Sequence, residues 1–529
     1  MNTKPFTASP ADFSCTPARE SRPIGLALPV ITGGLSITVG VWCLWWLLHT
    51  PALSVPRSVS GPVLLVATVV LAALTCWWRA HRQMTERLKY GGMIGLVSGL
   101  LNLMILGSML TQPAAAEVAA STQAAANPTN VQQGITALQP QTLVVMACFV
   151  ALCGFLGMVG GAASTLLPAP TASQVATQTA RDWLGRLGMV VAIAVLPLLL
   201  LGGLVTSANA GLSVPDWPGT FGSNMFLYPV SLMESADPRI FKEHTHRLFG
   251  ALVGVATLLQ MIMIFRHEAR KGVIAWGVIA FGLVCFQGVL GGAWVVTVSK
   301  LLPVFHGVLG QIFFASMVAL AIVLSPRFVA AEKGNLASNS RVFLPLTLLA
   351  LVLQLSFGAT YRHLRGQPGA NHALLAHIIF SLVAFGLVVA AGIIAIQVGK
   401  LLAAKTREAA PDRSPLETSA SLGDHVRMLG IWLHGVVSLQ FVLGWIAWAA
   451  IATTGKEVRF SPGAEDLATT PQEAILSVTI RTLHQANGAV LLALAAVVTV
   501  WIYRITRPAA VMSVPDSSVH SARATGAVQ

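Results

Sequence analysis

Charge is what this 529-residue sequence has least of. Asp, Glu, Lys and Arg make up 10% of it and hydrophobic residues 55%, whereas a soluble globular chain carries roughly 25% charged residues. The length would allow several soluble domains, but no stretch reads as one. Cysteine is also scarce: of the six, only Cys15 lies outside an apolar run. No structural disulfide is therefore expected on an oxidising side. CxxC and CxxCH do not occur, which argues against covalent c-type heme attachment. Basic stripes with interleaved aromatics are missing as well. The net charge of +13 therefore does not point to nucleic acid, because the Lys and Arg collect in short segments between apolar runs, as they do in membrane proteins.

Long apolar runs are what the sequence has instead. A membrane-spanning helix needs about 20 mostly apolar residues. Such runs lie near 24–50, 61–79, 90–111, 142–167, 185–207, 244–265, 272–298, 302–324, 342–361, 371–399, 426–451 and 476–503. They are continuously apolar rather than alternating, which selects helices over a barrel. The fold class is thus an all-α polytopic membrane protein of about twelve transmembrane helices. The first run follows more than twenty mostly polar residues and is long enough to span, so it reads as a retained helix.

Orientation follows from the basic residues. Arg79, Arg82, Arg87 and Lys89, then Arg266, Arg270 and Lys271, then Arg327, Lys333 and Arg341, then Lys400, Lys405, Arg407 and Arg413 fall on one set of connections, together with both termini. The other set is poorer, and residues 112–141 hold no Lys or Arg. The basic set is expected to be cytoplasmic. Residues 112–141 read as a flexible loop, and 401–424 and the tail after 507 as disordered.

The last eight runs contain a repeat, four against four. Gln287-Gly-Val-Leu-Gly291 matches Gln440-Phe-Val-Leu-Gly444, His306-x-x-x-Gly310 matches His484-x-x-x-Gly488, and His246 matches His377. An even number of helices per unit predicts two parallel four-helix-bundle repeats. The expected organisation is 1–184 (four helices, role unassigned), 185–335, 336–507 and a tail at 508–529. His246, His306, His377 and His484 each open a helix running inward, so all four are expected near the external leaflet. Four positions on stand Gly250, Gly310, Ser381 and Gly488, on the same helical face. A small residue there leaves room for a flat macrocycle beside its axial ligand. Imidazoles without a thiolate or carboxylate cluster suit heme iron better than zinc. One such histidine alone would more often serve as an interhelical hydrogen-bonding group; four at matching positions favour ligands.

Other histidines are weaker candidates. His434 has Ser438 at i+4 but lies nearer the cytoplasmic side, and His372 could replace His377. His363, beside Arg362 and Arg365, reads as loop. Glu243, three residues before His246 and followed by Arg247, shares the face of that histidine. It is either a proton-handling group beside a porphyrin edge or an interface carboxylate paired with Arg247 or Lys242.

The run Gly202-Gly-Leu-Val-Thr-Ser-Ala-Asn-Ala-Gly-Leu-Ser-Val-Pro-Asp-Trp-Pro-Gly-Thr-Phe-Gly222, followed by Glu243-His-Thr-His246-Arg247, resembles the heme A synthase family over roughly 185–505. The resemblance implies an enzyme of the bacterial inner (cell) membrane that oxidises a ring methyl of heme O to a formyl group, giving heme A for terminal oxidases. It implies that His246 and His306 bind the substrate heme O and that His377 and His484 hold a heme b cofactor; beside them Glu243, by its position, is the candidate catalytic residue. It implies as partners heme O synthase, terminal oxidase assembly proteins and an electron donor. Many bacterial members carry a cysteine pair in the first external loop. Val214 and Thr220 stand there in this chain, so a mechanism needing that thiol pair is closed to it. A di-heme b-type electron conduit is the alternative reading. A transporter is disfavoured, since the run centres carry almost no charge.

Overall fold

The computed structural model describes residues 25–110, 140–409, 422–453 and 471–507, apart from 54, 81–82, 172–174, 176–177, 229, 236, 335 and 338–339. Among the described residues, twelve helices are long and apolar enough to cross a membrane. They are α1 (Ala27–His49), α2 (Arg57–Arg79), α3 (Met84–Leu110), α4 (Pro140–Ala163), α5 (Ala180–Ser207), α6 (Pro238–His267), α7 (Lys271–Thr297), α8 (Leu302–Leu324), α9 (Phe343–His363), α10 (Ala370–Ala409), α11 (Leu422–Thr453) and α12 (Pro471–Ile505). Each coincides with one apolar run of the sequence. The protein is an all-α, multi-pass membrane protein.

Local chemistry starts the helices where the apolar runs begin. Thr179 and Asp182 form a reciprocal capping box at α5: the Asp182 amide donates to Thr179 Oγ1 (3.2 Å) and the Thr179 amide to Asp182 Oδ2 (2.9 Å). This satisfies two of the amides that a helix start leaves unpaired. Asp237 accepts from the Arg239 amide at 2.8 Å, and Pro238 opens α6 where a missing N–H costs nothing.

Helices α5 to α8 contact one another in sequence, and α8 returns to α5; α9 to α12 do the same, with α12 returning to α9. The two sets meet through α8 with α12, α5 with α12 and α8 with α9. At the opposite end from the histidines, a two-residue parallel ladder pairs Leu336 with Thr506 and Ala337 with Arg507, and Arg504 donates to the Val329 carbonyl at 2.7 Å.

The first four helices pack differently. α3 and α4 are in backbone contact: a Cβ at Gly91 would lie 2.3 Å from the Gly157 carbonyl oxygen, and one at Gly157 2.1 Å from that of Gly91. Gly91, Gly95 and Gly99, at four-residue spacing, lie on this contact, with Gly91 against Gly157, Gly95 against the Cys153–Gly154 backbone and Gly99 against Val150 and Cys153, a small-residue seam that lets the helices approach closely. This set docks on α5 and α6. Trp42 meets Phe249 edge-on at 5.4 Å, and Trp45 meets Phe241 at 6.1 Å. The Arg186 guanidinium lies 4.8 Å from the Trp78 ring and 4.6 Å from that of Trp183.

Two expectations change. Residues 401–409 continue α10 and 422–424 open α11, because the apolar period runs on into the charged stretch; only 410–421 of the segment read as disordered lies outside the described residues. His363 is the last residue of α9 rather than loop. The 112–139 part of the first polar loop, the tail after 507 and Cys15 lie outside the described residues.

Candidate functional site

All four candidate histidines sit at one end of the bundle, where α5, α7, α9 and α11 finish and α6, α8, α10 and α12 begin. The structure brings them together in two pairs. His246 and His306 have ring centroids 6.4 Å apart and planes at 85°. His377 and His484 are 6.3 Å apart, also at 85°. Two imidazoles bound through nitrogen about 2.0 Å from one shared metal, on opposite sides of it, would have ring centres roughly 6.3 Å apart. Among the described residues no group of three or more His, Cys, Asp or Glu is placed to hold a metal ion.

Each ring is seated by a glycine on the preceding helix. A Cβ at Gly202 would lie 3.0 Å from His246 Cε1, at Gly291 3.2 Å from His306, at Gly358 2.8 Å from His377 and at Gly444 3.2 Å from His484. The imidazole occupies the volume that a side chain there would fill. Four residues before each glycine a backbone carbonyl faces the same ring: Leu198, Gln287, Gln354 and Gln440. His377 Nδ1 lies 2.9 Å from the Gln354 carbonyl, and the Gln354 amide donates back to the His377 carbonyl at 2.9 Å. The Nδ1 atoms of His246 and His306 are buried without a closed hydrogen bond. At His377 the carbonyl on Nδ1 favours the tautomer with Nε2 free, the form that ligates a metal, whereas the Gln440 side-chain amide lies 3.2 Å from His484 Nδ1 and 3.4 Å from its Nε2.

The space beside the first pair is open at its small residues, whereas at Gly488, beside the second pair, a Cβ would lie 3.2 Å from Gln440 Nε2. A Cβ at Gly250 would meet nothing nearer than 4.0 Å, and at Gly310 nothing nearer than 3.9 Å. Such a cradle fits a flat macrocycle, and the donor set fits heme iron.

Over the first pair lies the segment between α5 and α6. Glu243 and Arg247, one turn apart on α6, hold it. Their side chains pair at 2.6 Å. Glu243 Oε2 accepts from the Val214 amide at 2.9 Å. Arg247 donates to the carbonyls of Val214 (2.9 Å), Asp216 (2.6 Å) and Gly219 (3.1 Å). Asp216 closes the turn by accepting from the Phe221 and Gly222 amides at 2.7 and 2.8 Å. Trp217 is thereby pressed on Gly292, where a Cβ would lie 2.2 Å from its ring, one residue from the glycine that seats His306. Glu243 is 3% exposed, so it is buried beneath this cover rather than open to water, and its partner is Arg247 rather than Lys242.

Val214 and Thr220 are fully buried. Thr220 Oγ1 lies 3.0 Å from His244 Nδ1, and the His244 ring packs 5.4 Å from Tyr228. Burial, reinforced by the charge of Asp216, pushes the Tyr228 phenol up to about 12. His244 had no place among the sequence candidates. Its signal was available: a second histidine two residues before His246, on another face of the helix.

The remaining histidines separate clearly. His434 Nε2 lies 3.0 Å from the Val389 carbonyl, and its ring fills the space over Gly392; it joins α11 to α10 away from both pairs. His372 is exposed. His363 packs edge-on against Trp294 at 6.3 Å and lies within electrostatic reach of His306, so the end of α9 reaches the first pair.

Residues 185–375 match the family described as cytochrome oxidase assembly protein. Among curated proteins, the chain is similar to the heme A synthase of Ehrlichia canis (strain Jake), 26% identical over 32% of this chain and 56% of that protein. It is similar also to the heme A synthase of Shewanella oneidensis, 27% identical over 37% of this chain and 58% of the relative. For the heme A synthase of Beijerinckia indica the figures are 28%, 38% and 63%. The chain thus spans a little over half the length of these relatives. No solved structure matches it. The matched region holds His246, His306, Glu243 and Arg247 and ends two residues short of His377, so the likeness to cytochrome oxidase assembly proteins takes in the first histidine pair and its cover.

Proposed function

We propose that this protein is a heme A synthase that oxidises a ring methyl of heme O to a formyl group, with His246 and His306 holding the substrate and His377 and His484 holding a heme b cofactor. One observation carries the reading: two histidine pairs with the same separation and the same perpendicular ring planes, each ring seated on a glycine. When bound, the heme b supplies one-electron redox chemistry, with potential and reactivity set by its two imidazoles and its surroundings.

The chain's own residues do the rest. The glycine seats fix ring position, and at His377 the Gln354 carbonyl on Nδ1 would leave Nε2 free to hold the iron. The cover built on Glu243 and Arg247 keeps bulk water from the first pair, which suits the half where a methyl is activated. Glu243 is the one carboxylate on the face of His246. Converting a methyl to a formyl group removes four electrons to an external oxidant and brings in one oxygen atom, and a carboxylate in reach can relay the protons that this turnover moves. Both sites are read at the external leaflet, with both termini cytoplasmic, on the Lys and Arg asymmetry. Heme O synthase, terminal oxidase assembly proteins and an electron donor are the partners this activity calls for.

Co-expression with a source of heme O tests the reading. Chromatography of extracted pigment should show heme A only when this protein is present. A protein that carries two b-type hemes and leaves heme O unchanged would be an electron conduit instead.

A further inference from the structure

Three arginines collect at the histidine end, and no carboxylate among the described residues pairs with them. Arg362 and Arg365 lie at and just past the end of α9, and Arg481 lies on α12. They act on one another as like charges: Arg362 feels Arg481 and Arg365, and Arg481 feels Arg365. The ion pairs found among the described residues are Lys89–Glu86, Arg239–Asp237, Arg247–Glu243 and Arg270–Glu268.

Neutral groups anchor the cluster but do not balance it. Arg362 Nη2 donates to the Thr206 carbonyl and to Asn209 Oδ1 (2.8 Å). Arg481 Nε donates to the Ser477 carbonyl (3.1 Å) and its Nη2 to that of Ser207 (3.1 Å). Thr206 and Ser207 end α5, so the cluster meets a helix C-terminus, equivalent to about half a negative charge. A guanidinium has five donors, and these bonds use one nitrogen of Arg362 and two of Arg481. A partly buried group of cations in an apolar bundle is costly unless an anion joins it.

Position identifies the anion. Arg362 stands one turn past Gly358, the glycine that seats His377, and Arg481 stands three residues before His484. Both therefore lie just beyond the second histidine pair, toward the same end of the bundle, on helices that touch. A porphyrin lying between those two imidazoles carries its two carboxylates on one edge. Arginine presents a planar fork that matches a carboxylate. At the corresponding places of the first pair stand Thr206, four after Gly202, and Pro303, three before His306, and neither carries charge. The arginine nearest that pair, Arg247, is already committed to Glu243 and to three loop carbonyls.

We propose that Arg362 and Arg481, with Arg365 beside them, form the anion subsite that receives the carboxylates of the porphyrin held by His377 and His484. This rests on the heme reading above and deepens it: the second pair retains its heme through edge charge as well as axial ligation, whereas the first pair relies on ligation and its cover.

The test compares iron protoporphyrin with its dimethyl ester, which keeps the ring and iron but has no carboxylate charge. The full-length chain carrying His246→Ala, purified without heme from a heme-deprived host, is titrated with each in detergent. Low-spin absorbance reports uptake at the second pair. The free acid should bind about tenfold or more tighter than the ester, the worth of one charge-assisted hydrogen bond. Arg362→Gln/Arg481→Gln should erase that preference, and Arg362→Lys/Arg481→Lys should restore part of it. A preference untouched by the glutamine pair would overturn the assignment. So would equal affinity for acid and ester before any arginine is changed, an arm that needs no folding of the arginine variants. Absence of low-spin uptake of either compound by the unmutated chain would instead overturn the heme reading, and the subsite with it.

Discussion

The two histidine pairs are alike at their centres and different at their edges. Ring separation and angle agree within 0.1 Å between the pairs, 6.4 and 6.3 Å at 85°. Beyond the rings, the first pair has a cover clamped by an ion pair, a buried carboxylate and uncharged Thr206 and Pro303. The second has only 364–369 between α9 and α10, and three arginines. The lesson is a division of labour. Helix packing, through a glycine and a facing carbonyl, sets the axial geometry and is the same in both. On the proposed function, the residues around the edge are what would distinguish a heme that reacts and leaves from one that stays.

The largest effects should come from removing an axial imidazole. His377→Ala or His484→Ala is expected to abolish the low-spin heme b spectrum, since each takes away one ligand, while His434→Ala leaves it near normal. A spectrum lost with His434 and kept with His484 would break the pairing itself. Next comes Glu243→Gln. Heme should remain bound, heme A formation should fall about 10²–10⁴-fold, and heme O or a half-oxidised alcohol should accumulate. Glutamine can still accept from the Val214 amide but then turns its NH2 toward Arg247, whose three bonds to loop carbonyls are left to hold the cover. Heme A yield equal to the parent at matched protein level would make Glu243 an anchor for Arg247 and nothing more.

A smaller effect sharpens the comparison within one pair. Gly358→Ala puts a methyl group 2.8 Å from His377 Cε1, whereas Gly444→Ala puts one 3.2 Å from His484 Cε1. Overpacking of this kind costs about 1–3 kcal/mol, so heme affinity at the second pair should drop roughly 5- to 150-fold for the first and less for the second. Gly386→Ala, where a Cβ meets nothing within 4 Å, is the control for added bulk. Equal loss in all three, by titration, would mean that the glycines do not seat the rings. The smallest effect on heme content should come from starting the chain near residue 180. Both pairs lie outside the deleted helices, but Trp42–Phe249 and Trp45–Phe241 are lost, so thermal release of heme should begin at lower temperature. A shortened protein that inserts and folds yet binds no heme would show that α1–α4 help to build the site.

Much of this was legible along the chain. The helices match the apolar runs because spanning depends on the composition of one segment at a time. His246, His306, His377 and His484 stood out through matching positions, and Arg247 was already an expected partner of Glu243. The four-residue spacing of Gly91, Gly95 and Gly99 on one helix and of Gly157 and Gly161 on the next was readable and went unread, because attention to histidines left the first four runs without a motif. Gly291 and Gly444 were visible as repeat markers, but their role as ring seats was not. His363 was read as loop because charge on both sides masked the last turn of α9.

What the sequence determined by itself is therefore what one segment settles alone: twelve apolar helices and the four histidines at matching places. Tertiary structure alone decided which faces meet. It put Gly358 against His377 and Gly444 against His484, closed Glu243 and Arg247 over Val214, and gathered Arg362 and Arg481 at the end of α5. Each of these joins residues on separate segments, and in an apolar bundle almost any face can pack. Small residues and buried polar groups choose among the packings, and that choice depends on the relative rotation of two helices, which neither states alone.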